Sequence, residues 1–159
     1  MMRPSIIQLT YMKRYLVLVT LLTMLLGVGA CKKKKSENPL PVYPAPSWSS
    51  AGTEKYPFSM TAVVQLPNAM QAGYTKEDEL GAFMNGECRG AGEVVMVGNN
   101  ITFYVMIRGQ AAEEEDIIFK YFSAGTGHIY LSKKPVEFTV DGNYGSADQP
   151  WVLELEPQQ

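Results

Sequence analysis

Between Phe58 and Leu66 every second residue is apolar (Phe58, Met60, Ala62, Val64, Leu66), while Ser59, Thr61 and Gln65 hold alternate positions. A period of two puts one row of side chains on each face of an extended chain, so this stretch predicts a half-buried strand. Ile101, Phe103, Val105 and Ile107 repeat the pattern against Thr102, Tyr104, Met106 and Arg108. Residues 117–122, 128–132, 135–141 and 151–155 are further strand candidates, rich in Val, Ile, Phe and Tyr and punctuated by Gly and Asn. Asn85-Gly86 lies between two such runs, where a two-residue hairpin turn requires positive φ, and Gly98-Asn99 offers a second turn. Residues 69–75 are the one short helical candidate, and no internal repeat is present. The pattern predicts an all-β fold, an antiparallel Ig-like β-sandwich of about 7–8 strands.

The N-terminal third departs from this pattern. Lys13 and Arg14 precede the uncharged apolar run of residues 16–29, LVLVTLLTMLLGVG. The run falls short of the roughly 20 residues a membrane span needs and reads as the core of a secretory signal peptide over residues 1–30, with either Met1 or Met12 as its start. Val28-Gly29-Ala30-Cys31 resembles the lipobox of bacterial lipoproteins, and the resemblance implies that Cys31 becomes the lipidated N-terminus. The other reading of Cys31 is a free thiol after an ordinary signal peptide. Acylation would anchor the chain to the membrane without crossing it. Residues 31–50, Lys-rich and then Pro/Ser-rich, read as a semi-extended tether, and residues 51–159 as the β-domain.

Charge sharpens the division. The whole chain is near neutral at −2, but Lys32, Lys33, Lys34 and Lys35 stand next to Cys31, where anionic head groups attract them. From Ser49 onward seven Lys and Arg face fifteen Asp and Glu, a balance of −8. An acidic domain with no basic stripe excludes nucleic acid as a partner. An unknown envelope protein or a polysaccharide is left as the partner beside the membrane itself. The expected location is the cell envelope, at the outer membrane, on either its periplasmic or its surface face.

The stretch "GECRGAG", from Gly86 to Gly92, raises the question of catalysis. It resembles the Q-A-C-[RQG]-G nucleophile signature of caspase-type proteases. A cysteine nucleophile needs a base and an electropositive setting. The only histidine, His128, lies downstream rather than upstream, and Glu87 and Glu93 make the neighbourhood acidic. With Asn85-Gly86 as the turn, Phe83 pairs with Cys88 and Met84 with Glu87, so Cys88 sits mid-strand as a small structural residue. If Cys31 carries lipid, Cys88 has no disulfide partner.

The longer stretch "DELGAFMNGECRGAG", from Asp78 to Gly92, resembles a β-sandwich module common in secreted and surface proteins of the Bacteroidota, with the pattern D-x-[IL]-G-A-F-x-x-x-x-C-R-G-[VA]. "NITFYVMI", "EDIIFKYF" and "GSADQPWVLEL" are similar to its later strands. The resemblance implies architecture and an envelope location, and no catalytic activity. Gly81, Gly90 and Gly92 on facing strands predict a bulge or a close backbone approach. Arg89 is read as bridging Glu87 or a backbone carbonyl, or else as contacting a ligand carboxylate.

Other clusters are weaker. The acidic groups before the strands read as solvated guards against edge pairing. DGNYGSAD, Asp141 to Asp148, could offer oxygen ligands to calcium but lacks the EF-hand spacing, and turn chemistry is the preferred reading. No metal site and no cofactor are expected. On the face away from the core, Tyr104 and Arg108, with Lys120 and Phe122 on what is taken as the next strand, form either a covered second face or a ligand-binding patch. Trp48 and Trp151 could add to an aromatic platform there, but Trp151 begins an alternating run and is assigned to the core. The sequence therefore points to a non-catalytic envelope lipoprotein that binds or assembles through a face or an edge strand. A carbohydrate-binding accessory lipoprotein is the alternative, and a cysteine hydrolase using Cys88 the third reading.

Overall fold

The computed structural model describes residues 39–50, 52–112 and 115–159. The expected signal peptide, Cys31 and the basic run lie outside the described residues. Among the described residues nine strands occur in chain order: β1 (Phe58–Gln65), β2 (Glu79–Met84), β3 (Glu87–Val97), β4 (Asn100–Gly109), β5 (Ile118–Ser123), β6 (His128–Ser132), β7 (Asn143–Tyr144), β8 (Trp151–Val152) and β9 (Leu155–Pro157). The one helix among them, α1 (Asn68–Gln71), is a single turn, shorter than the sequence pattern implied. No helix among the described residues is long and apolar enough to cross a membrane.

The all-β expectation holds, though the strands do not divide into a clear two-sheet sandwich. One mixed sheet runs in the order β7-β1-β4-β3-β2-β5-β6-β9, with β8 also on β1, and curls into a half-barrel around a single core. The neighbours from β1 to β9 along this path are antiparallel, whereas β7 and β8 lie parallel to β1. Curling lets one sheet bury its own concave face, which is the task a sandwich divides between two. The alternating rows supply that face: Met60 faces Ile107, Ala62 faces Val105 and Val64 faces Phe103 across β1 and β4, all buried. Leu80, Ala82, Phe119 and Tyr121 complete the core from β2 and β5. From β3 the core receives glycine. A Cβ on Gly90 would lie 2.6 Å from the Met106 carbonyl oxygen, so only glycine lets the two backbones approach there.

The first hairpin forms as its sequence requires. Asn85 and Gly86 take φ of 50° and 75°, and Phe83 pairs with Cys88 and Met84 with Glu87. Beyond them the register slips between Ala82 and Phe83, so that Arg89 is the extra residue of a β-bulge. Gly98, at φ 62°, turns β3 into β4.

Two strand assignments change. Residues 135–141 form no strand; Val136 makes one bridge with Ile117, and the chain then crosses the end of the half-barrel with Val136 and Phe138 buried. Any extended chain alternates its side chains, so Val136 and Phe138 mimic a strand beyond that single bridge, while Val140 belongs to the turn closed by the Gly142 N–H on Thr139 O. Residues 151–155 divide into β8 and the start of β9. Trp151 is 43% exposed rather than part of the core.

The tether also differs from expectation. Residues 39–50 belong to the compact unit Pro39–Gln159. They run over the convex face as a strap. The Tyr43 N–H donates to Gly127 O (2.7 Å), His128 Nδ1–H donates to Pro41 O (3.0 Å), and the Trp48 N–H donates to Glu79 Oε2 (3.1 Å). The Ser50 hydroxyl reaches Arg89 O, and the Trp48 ring meets Phe83 edge-on at 5.3 Å. Prolines fix φ in advance, so laying such a segment on a sheet costs less chain entropy than its length implies.

Candidate functional site

Cys88 stands on the convex face opposite Phe83 and is half-buried. Burial pushes its thiol above the ordinary value; a backbone hydrogen bond with Gly90 opposes this, and Glu79 reinforces it. His128 is bonded to the strap, on β6. The local setting favours the thiol over the thiolate, the reverse of what a nucleophile needs.

Arg89 lies folded into the sheet at 5% exposure. Its guanidinium carbon sits 3.4 Å from the Tyr56 ring centre, its Nη1 donates to Arg108 O (3.3 Å), and its Nε is 3.6 Å from Glu87 Oε2. Tyr56 and Lys55 also donate to Glu87, and their hydrogen bonds, Lys55 first, hold its carboxyl below the ordinary range. The charges of "ECR" are thus held within a local network around an aromatic ring.

The four remaining predicted ligand residues do not converge. Tyr104 and Arg108 lie on β4 and Lys120 and Phe122 on β5, but β3 and β2 stand between these strands. Three inter-strand steps separate them by roughly 14 Å. Tyr104 and Arg108 are partly exposed beside Met106, whose sulfur accepts from Arg108 Nη2. Lys120 caps the Phe83 ring at 4.5 Å. Phe122, on the convex face between Glu79 and Ile129, is only 2% exposed. The second face is covered at β5 and open at β4.

Asp78, the acid that opens the D-E-L-G-A-F motif, has a structural explanation. It is buried and accepts bonds from the Tyr121 hydroxyl, the Ala124 N–H (2.9 Å), and the Thr75 hydroxyl (3.0 Å) and N–H (3.2 Å). It ties the entry of β2 to the far end of β5.

An open edge is the feature that the alternating pattern did not reveal. Only Glu87, Cys88, Gly90 and Ala91 of β3 pair with β2, because β2 begins at Glu79. From Gly92 to Val97 the strand pairs with β4 alone, so its second edge carries no strand among the described residues. This free length holds Val94, Val95, Met96 and Val97, of which the first three are 38, 43 and 57% exposed. The sequence signal was there: four successive apolar residues with no charge, too many for one face of a half-buried strand.

No protein-family model, curated protein or solved structure matches the chain.

Proposed function

We propose that this chain is a non-catalytic lipoprotein of the cell envelope, held at the outer membrane through Cys31, that binds a partner protein by strand addition to the free edge of β3. The observation that carries this reading is the run from Val94 to Val97, apolar, uncharged and paired on one edge only, in a domain that is otherwise strongly acidic. Exposed edges are normally shortened, bulged, covered or guarded by charge, because unpaired N–H and C=O groups recruit any extended chain. Among the described residues this run has none of those protections. An added strand would bond the free backbone groups and place alternate side chains against Val94 and Met96 on one face and Val95 and Val97 on the other. Its occupant is an extended segment of an envelope protein, uncharged or basic, with apolar residues at alternate positions, since Glu93 and the acidic domain disfavour an acidic strand. The raised thiol of Cys88 supports the non-catalytic part of the reading.

Photo-crosslinking in intact cells tests the edge. A photoreactive residue at Met96 should give a discrete adduct with one membrane-associated protein, whereas one at exposed Lys134 should not. The adduct should disappear when Val95 and Val97 are both replaced by lysine. A Met96 probe that yields no adduct, or one indifferent to the lysines, would sink the edge proposal. The anchor is read separately, from incorporation of labelled palmitate that Cys31→Ser should abolish.

A further inference from the structure

The geometry points to a second binding site, for an uncharged sugar, in the groove where the 135–142 crossing meets β1 and β7. The groove has a volume of about 470 Å³, within the roughly 300–1,000 Å³ typical of small-molecule sites. Met60 and Val136 supply apolar lining, Glu137, Thr139 and Asn143 supply polar groups, and Tyr144 belongs to the wall. Beside Tyr144 stands Trp151, the ring centres 4.9 Å apart and tilted by 37°. On β8, Trp151 is paired with the fully buried Val64, yet 43% of the residue remains in water.

The two rings are held there by backbone. Gly145, at φ 77°, turns the chain between them so tightly that a Cβ would lie 2.3 Å from Val63 O and 2.9 Å from the Trp151 nitrogen. Phe119 stacks against Tyr144, with centres 6.4 Å apart and planes 18° from parallel. An aromatic pair fixed in advance binds with little further loss of freedom.

The chemistry of the groove selects its occupant. A pyranose presents an apolar face of C–H groups, which an exposed indole can cover, and a rim of hydroxyls that both donate and accept. Asn143 can do both, Thr139 likewise, and the Glu137 carboxylate accepts. No lysine or arginine lines the groove, and its carboxylate repels an anionic ligand, so the occupant is a neutral sugar or glycan end. This site is separate from the β3 edge and does not depend on it.

The chain has two tryptophans, Trp48 and Trp151, so Trp48→Phe leaves Trp151 as the sole indole reporter. The full chain carrying this change, in detergent, would be titrated with amylopectin, laminarin and galactomannan, and with anionic polygalacturonate. A saturable shift of Trp151 emission with at least one neutral polymer, and none with polygalacturonate, is the expected result. Affinity electrophoresis would then compare Trp151→Ala and Asn143→Ala, both at exposed positions, with the parent. Each should lose tenfold or more in affinity while keeping the parent's circular dichroism spectrum, and Val95→Lys should bind as the parent does. No saturable response to any neutral polymer, a preference for polygalacturonate, or undiminished binding by both variants overturns the inference.

Discussion

Replacing Asp78 by alanine should be among the most damaging single changes outside the hydrophobic core. The carboxylate serves Tyr121, Ala124 and both the hydroxyl and the N–H of Thr75. Thr75 lies near water and can replace its lost bonds. Tyr121, at 1% exposure, cannot, and the Ala124 N–H also loses its acceptor. A buried donor left unsatisfied costs about 1–3 kcal/mol, and bonds to a charged group exceed neutral ones. The buried Tyr121 hydroxyl and the half-buried Ala124 N–H together give a loss of about 2–4 kcal/mol, a large share of the 5–15 kcal/mol that holds a domain of this size. In melting temperature this is roughly 8–16 °C. Tyr121→Phe removes the hydroxyl but leaves the carboxylate three of its bonds, and should cost about 1–2 kcal/mol. Urea denaturation followed by circular dichroism measures each variant. In the double variant Tyr121→Phe relieves the orphaned hydroxyl, so its cost should fall short of the sum by about 1 kcal/mol or more. An Asp78→Ala loss below about 1 kcal/mol, or strict additivity, would refute the view that this cluster joins β2 to β5.

The same cluster sets an alkaline limit. Burial first, and then the bond to Asp78, push the Tyr121 phenol far above the ordinary value, and burial raises Tyr74 and Tyr144 as well. Below about pH 10 both folded and unfolded chains keep these protons; above it the unfolded chain releases them first, so stability declines, by up to about 1.4 kcal/mol per pH unit for Tyr121 and by less for the partly exposed Tyr74 and Tyr144. Unfolding by urea at several alkaline pH values should show this slope, shallower in Tyr121→Phe; a flat profile would contradict it. Cys88 should react with a thiol-directed reagent at least tenfold more slowly in the folded chain than in urea, and rapid labelling of the native protein would reopen the hydrolase reading.

Much of the local structure was legible in the sequence. Asn85-Gly86 specified its turn, and through it the pairing of Phe83 with Cys88, because a two-residue turn leaves no freedom in register. The row of Ile101, Phe103, Val105 and Ile107 identified its own buried face for the same kind of reason. Among the candidate binding residues, the partial exposure of Tyr104 and Arg108 followed from that alternation. The burial of Phe122 did not, since alternation placed it on the outer face without saying that this face is covered there. Nor did Trp151, because a period of two assigns a residue to a face without saying whether the face ends in core or in water.

What the sequence by itself determined is therefore the all-β character, the faces of the long strands and the tight turns, all of which depend on a few consecutive residues. The tertiary structure alone decided that β3 and β2 separate β4 from β5, that one curled sheet replaces two, and that Tyr144 meets Trp151. Those outcomes depend on which distant strands find each other. Many pairings satisfy the same alternation, and the choice among them is made by the whole core closing at once, down to glycines such as Gly90 that let one backbone touch the next.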